Sequence, residues 1–150
     1  MNIIETIQAA LASFPNINEL HIDYNDDAPD NFGLYPTGDR LITQDILGNQ
    51  KRNHNFILYA DFLSFNDYLR LQNSSTLLEL HYWLERYADG QEVTALIGED
   101  EYVGTLTKIA CSNGVLFSIP DGNMNTAVRY TLQIAVEYTI STELYNESEE

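Results

Sequence analysis

The chain has 150 residues, a length that fits one domain with its own hydrophobic core. Its 23 acidic and 7 basic side chains give a formal net charge of −16, which argues against non-specific binding to nucleic acid or to an anionic membrane surface. Cys111 is the only cysteine, so no disulfide can form within the chain.

The sequence lacks the patterns of secreted and membrane-spanning proteins. Its N-terminus has neither the basic segment nor the long apolar run of a signal peptide. No stretch approaches the ~20 apolar residues that a membrane-spanning helix needs. We therefore expect the protein to be made and kept in a reducing cytoplasm.

The first predicted element is a helix from about Ile3 to Phe14. Its apolar residues recur at helical spacing, Asn2 and Glu5 fit a capping box, and Pro15 prevents much continuation. The single apolar stripe indicates that this helix packs on a sheet.

Strand patterns follow the helix. Glu19 to Tyr24 alternates between apolar and polar residues and predicts a strand, after which comes a polar loop. Phe32 to Tyr35 and Arg40 to Leu47 are predicted as short strand segments. Pro36 and the glycine two residues later separate these segments, a pattern typical of an edge strand or an irregular excursion.

Gly48 and Asn49 predict a turn that leads into a longer strand, Lys51 to Phe62. That strand has apolar residues on both faces, which favours a central position in the sheet. A second helical region is predicted from about Ser64 to Ala88. We expect a break at Asn73-Ser74-Ser75, followed by a main helix that opens on a capping box of Thr76 and Glu79 and carries an apolar stripe of Leu77, Leu80, Leu84 and Tyr87.

The stretch from Gln91 to Glu101 predicts a connection that is partly packed through Val93, Leu96 and Ile97 and ends in a solvated turn. Thr105 to Cys111 and Val115 to Ile119 predict two strands of a hairpin. Their connection contains Asn-Gly, whose residues tolerate the positive φ of a tight turn.

The strongest local signal is the stretch from Thr126 to Ile140, in which every even position from 128 onward is apolar or aromatic. Successive side chains of a strand point to opposite faces, so this pattern predicts a long strand with one buried face. The acidic segment 141–150 is predicted to be a disordered tail.

These elements predict a single α+β domain over residues 1–140. We expect a mixed, mainly antiparallel sheet with a long C-terminal strand, covered by the N-terminal helix and the central helix.

No residue pattern points to catalysis, to a cofactor or to a metal site. The run from Asp23 to Asp27 begins like a calcium loop, but Ala28 and Leu34 stand where the loop needs glycine and glutamate. The three histidines lie on separate predicted elements, and Cys111 has no flanking cation. We expect a protein that is not an enzyme and needs neither cofactor nor metal.

Several short motifs occur in an order and spacing that resemble a family of phage proteins. They are Ile22 to Tyr24, Leu71 to Ser74, Trp83 to Glu85 and, as the sharpest, Ala127 to Ile134. Through them residues 2–140 resemble the tail terminator, or minor capsid, proteins of long-tailed bacteriophages and prophages of Gram-positive bacteria.

The resemblance implies an α/β protomer that assembles as a ring, usually of six copies. Such a ring caps the finished tail tube and docks to the head connector. The implied partners are therefore further copies of the chain, the tail tube protein and the head–tail connector protein. The implied locations are the host cytoplasm during assembly and the virion tail. We expect neither specific nucleic-acid binding nor a membrane contact.

Candidate interface residues for this role lie in and beside the predicted loops at 25–38 and 48–52. They are Asp26, Asp27, Asp30, Phe32, Tyr35, Arg40, Asn49, Lys51 and Arg52. The charge fits a second class of protein equally well, an acidic adaptor or inhibitor module that covers a basic protein partner. The sequence leaves both classes open.

Overall fold

The computed structural model describes residues 1–15, 17, 19–23, 31–63, 67–88, 90–118 and 127–144. In this part of the chain, a mixed, curled six-stranded sheet and two helices form a single α+β domain. The elements are α1 (Ile3–Ala12), β1 (Leu20–Ile22), β2 (Asn31–Gln44), β3 (Gln50–Leu63), α2 (Asp67–Tyr87), β4 (Glu92–Ile97), β5 (Asp100–Ser118) and β6 (Ala127–Leu144).

The strands lie in the order β1-β2-β3-β6-β5-β4. Only the β1–β2 pair is parallel, and all the other pairs are antiparallel. β6 lies between β3 and β5, and Ile134 is opposite Phe56 on one side and Cys111 on the other. β1 pairs with β2 only from Phe32 to Leu34, so among the described residues the rest of β2 has no strand on its outer side.

The alternation of β6 separates a buried face from an open one. Its even-numbered side chains from Val128 to Ile140 are at most 6% exposed, whereas Gln133 on the other face is exposed. Both helices contribute to the same core, which includes Ile7 of α1 and Leu80 of α2. The helices also contact each other through a hydrogen bond in which the Trp83 indole N–H donates to the Ala10 carbonyl oxygen at 3.0 Å.

The start of α1 has the predicted capping box. The Asn2 side chain accepts from the Glu5 amide at 2.9 Å, and the Glu5 carboxylate accepts from the Asn2 amide at 3.2 Å. The helix ends at Ala12, two residues earlier than predicted, and Phe14 beyond it still packs in the core.

Two predicted interruptions are absent from the structure. β2 is continuous, because a register shift between Pro36 and Gly38 accommodates the proline in a strand that, after Leu34, pairs on one side only among the described residues. α2 is also continuous through Asn73-Ser74-Ser75. Thr76 is an interior residue whose hydroxyl donates to the Gln72 carbonyl oxygen at 3.0 Å, so it is not the predicted cap.

The region after α2 contains more strand than predicted. The predicted connection at 91–101 contains β4 and a turn; Val93 is buried as expected, but Leu96 and Ile97 are exposed. The predicted Asn-Gly hairpin was wrong, because β5 continues through these residues with a register shift between Ser112 and Val115. Both halves of β5 pair with β6, which explains why the chain does not turn back.

The ends of other predictions also differ. β1 is shorter than the predicted strand. Of the predicted polar loop at 25–31, Asn31 is instead the buried first residue of β2, and 25–30 lie outside the described residues. Ser141–Leu144 of the predicted disordered tail belongs to β6, whereas 145–150 lies outside the described residues.

We predict opposite outcomes for an acidic substitution on the two faces of β6. Ile134→Asp places an unpaired charge at a position that is 1% exposed and should cost roughly 3–5 kcal/mol. Gln133→Asp, one residue away on the open face, should leave the fold nearly unchanged. Thermal melts followed by circular dichroism test this, and equal melting temperatures for the two variants would refute the assignment of the faces.

We also predict that Gly104 cannot carry a side chain. A Cβ at this position would lie 1.9 Å from the Thr139 carbonyl oxygen, so Gly104→Ala should force β5 and β6 apart and cost about 1–3 kcal/mol. Gly38→Ala is the matched control, because a Cβ there meets nothing within 4 Å. Urea denaturation of both variants tests the difference, and a Gly104→Ala variant as stable as the control contradicts it.

Candidate assembly surface

One end of the sheet exposes an unusual number of large apolar side chains. Among the described residues, six of the ten exposed large hydrophobic side chains lie there, and we call this group the apolar end. Its members are Leu41, Ile42, Ile46, Leu47, Leu96 and Ile97. Soluble proteins rarely leave such groups exposed unless a partner covers them.

The β2–β3 turn presents the two most exposed members, Ile46 at 102% and Leu47 at 75%. Asp45 begins this turn, and the Gly48 amide donates to the Asp45 carbonyl oxygen at 3.1 Å, as in a β-turn. Gly48 has φ of +93°, a conformation that glycine adopts without strain.

The Asp45 carboxylate holds the turn in place. One oxygen accepts from the amides of Leu47 and Asn49, each at 2.9 Å, and the other accepts from the Asn49 side-chain amide at 3.0 Å. Hydrogen bonds from Asn49, opposed by slight desolvation, hold the pKa of Asp45 below its ordinary value. The turn therefore has many internal hydrogen bonds, although its apolar side chains face solvent.

The turn is also joined to the rest of the sheet. The Asn49 side-chain oxygen accepts from the Thr142 amide of β6 at 3.1 Å. Gly48, Ile97 and Tyr102 line one shallow cavity, so the β2–β3 turn and the β4–β5 turn are neighbours at the same end of the sheet. The apolar end is thus built from two hairpins whose turns are neighbours.

A polar cluster fixes the base of the β2–β3 hairpin. Asp39 accepts hydrogen bonds from Arg52 Nε at 2.6 Å, from His54 Nδ1 at 3.0 Å and from the Tyr138 hydroxyl. Burial acts to raise the pKa of Asp39, but the hydrogen bonds from Tyr138, Arg52 and His54 outweigh it and lower that pKa. The donors come from β3 and β6, so the cluster connects β2 to both strands.

The nine candidate interface residues do not lie together in the structure. Asp26, Asp27 and Asp30 lie outside the described residues. Phe32 is 1% exposed and packs edge-on against Phe62 in the core, so its side chain is not on a surface loop.

Tyr35 is a residue of strand β2 and not of a loop. Its ring lies 5.2 Å from that of Tyr59, over which the Arg129 guanidinium is placed at 5.3 Å. Arg129 in turn makes two hydrogen bonds with Asp61, at 2.7 and 3.0 Å. Burial raises the pKa of Tyr35, partly offset by Arg129.

The remaining four candidates lie at or near the apolar end. Arg40 is exposed on β2 and makes no ion pair within the described part of the chain. Lys51 is 3.8 Å from Glu137 and about half exposed. Asn49 and Arg52 have structural contacts, with Asp45 and Asp39 respectively.

The sequence patterns do not predict the exposure of the apolar members of this surface. Ile46 and Leu47 fall in the predicted strand segment Arg40 to Leu47, and Leu96 and Ile97 fall in the predicted, partly packed connection. The available signal was the spacing of Asp45 and Gly48, which are the favoured first and fourth residues of a β-turn and leave Ile46 and Leu47 between them.

Other kinds of site are not apparent in the described residues. Within them, no group of three or more His, Cys, Asp or Glu side chains is placed to hold a metal ion. None of the described helices is long and apolar enough to cross a membrane. Burial raises the pKa of the Cys111 thiol to about 12, with a smaller contribution from Glu85, so this thiol is not activated as a nucleophile.

Comparisons of the sequence with protein-family models and with curated proteins give no match.

We predict that Asp39 makes stability depend on pH. In the folded state the pKa of Asp39 lies below its ordinary value of 3.8. The Asp39 carboxylate therefore stabilises the fold at pH values above 3.8, and this stabilisation is lost as the pH falls through the lower, folded pKa. Asp39→Asn should therefore melt at a lower temperature at neutral pH and lose less stability on acidification. Tyr138→Phe, which removes one of three donors, should fall between the wild type and Asp39→Asn. Parallel curves of melting temperature against pH for all three proteins would contradict this.

Proposed function

We propose that this protein is a structural component of a bacteriophage or prophage tail: a tail terminator that forms a ring, usually of six copies. The ring caps the tail tube on one side and joins the head connector on the other. Its partners are further copies of itself, the tube protein and the connector protein. It acts in the host cytoplasm during assembly and then in the virion tail, and the role requires no catalytic centre.

The observation that carries this proposal is the ordered apolar turn at one end of the sheet. Ile46 and Leu47 are almost fully exposed, yet the turn that bears them is held by the hydrogen bonds of Asp45. Burial of such a side chain contributes about 1.5–3 kcal/mol. Because the turn is already ordered, docking would cost less conformational entropy than the ordering of a flexible loop.

The location of the apolar end suits a component that stops tube growth. A tube grows by repeated pairing of the same surfaces, so a terminator must match the tube on one face only. Six of the ten exposed large apolar side chains of the described residues lie at one end of the sheet. We assign the docking of Ile46 and Leu47 to the tube face.

Different parts of the fold are suited to different roles within the ring. We propose that α1 and α2 cover one face of the sheet, where their side chains share the core with the even-numbered residues of β6. The lateral borders of the sheet are then left for contacts between copies. The net charge of −16 per copy would also keep DNA phosphates from adhering as they pass through a central channel.

The proposal predicts that the apolar turn is needed for tail completion. A prophage strain that lacks the gene should be complemented by the wild type but not by Ile46→Ser/Leu47→Ser, because the double variant loses the apolar docking area. Leu71→Ser/Leu78→Ser is the matched control, since it removes two exposed leucines from α2, away from the apolar end. The number of virions with joined heads and tails is counted in electron micrographs of each lysate.

The deletion strain tests the function itself. It should yield filled heads that are not joined to tails, and tubes that lack a finished end or exceed the normal length. Complete virions of normal appearance from this strain would remove the tail-completion proposal.

A second candidate is the acidic adaptor or inhibitor module. The observation that favours it is the β4–β5 hairpin, where Glu92, Glu99, Asp100 and Glu101 are exposed and make no ion pair within the described part of the chain. A basic protein surface would complement this group. Neighbouring genes distinguish the two candidates, because tail-tube genes accompany a terminator and a toxin gene accompanies an inhibitor.

A further inference from the structure

A cavity lies beside the apolar end, between the start of α1 and strand β4. Its volume is about 670 Å³, and β2, β3, β5 and β6 also contribute residues to its lining. Leu96 belongs both to this lining and to the apolar end. A partner that covers the apolar end therefore also meets the mouth of this cavity, which we call the α1–β4 cavity.

The floor of the α1–β4 cavity is formed by its buried lining residues. They are at most 8% exposed and comprise Ile3, His54, Thr94 and Tyr138. The backbone amide of Thr94 is already used, because it donates to the Met1 carbonyl oxygen at 2.9 Å. The polar side chains of His54 and Tyr138 therefore decide which ligand the floor can bind.

His54 brings an unpaired hydrogen-bond acceptor to the floor. Its side chain is 9% exposed, and its Nδ1 lies 3.0 Å from the Asp39 carboxylate. A carboxylate can only accept, so Nδ1 carries the proton and Nε2 of the neutral ring is an acceptor. Nε2 is buried and has no hydrogen-bond partner in the described part of the chain, an unfavourable state that a donor from a ligand would relieve.

Tyr138 adds a second acceptor. Its hydroxyl donates to the Asp39 carboxylate, so the lone pairs of the hydroxyl oxygen remain for a donor from a ligand. The two polar side chains of the floor that are held by Asp39 thus both present acceptors. This arrangement favours a ligand that carries N–H or O–H groups.

The rim of the α1–β4 cavity is formed by its exposed lining residues, which include Met1, Glu5, Leu96 and Glu101. None of the described residues that line the cavity is a lysine or an arginine, so the Met1 α-amino group is the one cation among them. Glu101 makes no ion pair within the described ranges. The rim therefore has two carboxylates to offer to a cation.

Charge beyond the lining acts in the same direction. Arg52 neutralises Asp39, so Glu5 and Glu101 carry the negative charge that a ligand meets. The net charge of −16 adds a long-range attraction for cations. An anionic ligand is disfavoured by both effects.

We propose that the α1–β4 cavity binds a basic side chain, lysine or arginine, of the protein partner that covers the apolar end. The hydrocarbon stem of this side chain lies against Ile4 and Leu96. Its N–H groups donate to His54 Nε2 and to the rim carboxylates of Glu5 and Glu101. A purely apolar side chain would fill the same space but leave the His54 nitrogen unpaired.

The inference deepens the proposed function, on which it rests only for the identity of the partner. If the protein caps a tail tube, the basic side chain belongs to the tube end that docks on Ile46 and Leu47. The site itself is a property of the folded chain, so it can be tested on the protein alone.

Three small probes of equal length test the chemistry of the site. n-Butylammonium represents a lysine side chain, n-butanol is its neutral analogue, and n-butyrate is an anion. Binding is followed by NMR titration of the wild type at about pH 8, where histidine rings are ordinarily neutral. We expect n-butylammonium to bind at least about tenfold more tightly than n-butanol, and n-butyrate not to bind.

The histidine resonances report where the cation binds. n-Butylammonium should shift the ¹⁵N resonance of His54 Nε2 in a saturable way, because the nitrogen then accepts a hydrogen bond. The ring resonances of His21 and His81, which do not line the cavity, serve as internal controls and should stay unchanged.

A paired substitution tests the rim. Glu5→Gln/Glu101→Gln removes both rim charges, and glutamine can replace glutamate in the capping box of α1. The variant should bind n-butylammonium several-fold more weakly. Glu92→Gln/Glu99→Gln is the matched control, because it removes two exposed carboxylates that do not line the cavity, and it should bind like the wild type. Circular dichroism confirms that both variants are folded.

Three results would overturn the site: n-butanol or n-butyrate binding as tightly as n-butylammonium, an unchanged His54 Nε2 resonance, or equal binding by the rim variant and its control. Complementation separates this failure from failure of the function. If the titrations behave as expected but the deletion strain makes normal virions, the site stands and the tail function fails. If virions need the gene but n-butylammonium does not bind, the tail function stands and the site fails.

Discussion

The fold depends on the fixed register of β6 between β3 and β5. Seven apolar or aromatic side chains, at even positions from Val128 to Ile140, are buried on one face. A slip of one residue would expose all of them and bury residues such as Gln133, so the register is determined by burial. The close approach of Gly104 to Thr139 adds a steric constraint on the β5 side. The positions of both hairpins at the apolar end follow from this register.

Period-2 and period-3.6 patterns predicted the elements whose burial is regular. The buried face of β6, the capping box of α1 and the buried leucines of α2 follow directly from sequence spacing. The predictions were wrong where a turn signal in the sequence lies inside a strand that pairs along its whole length. Pro36 and the Asn-Gly pair in β5 were predicted as interruptions, but register shifts accommodate them while the flanking residues keep their partners. Such compensation depends on neighbouring strands and is not visible in a local pattern.

The candidate assembly surface was less predictable than the fold. Asn49 and Lys51 lie in or beside the turn that Gly48 and Asn49 predict, and they stay candidate interface residues. Ile46 and Leu47 fall in the predicted strand segment Arg40 to Leu47, where apolar residues are usually assigned to a core. Their exposure depends on where the hairpin ends relative to the rest of the sheet. The proximity of Gly48 and Ile97 is likewise a result of sheet curvature and strand order, which the sequence does not encode locally.

The central claim is that the protein completes a tail tube by binding to its end. The most direct measurement is electron microscopy of tail tubes from the deletion strain after incubation with the purified wild-type protein. Our account predicts a ring of added density at one end of each tube and none along its side. Tube ends that stay bare at saturating protein, or protein bound along the whole tube, would contradict it.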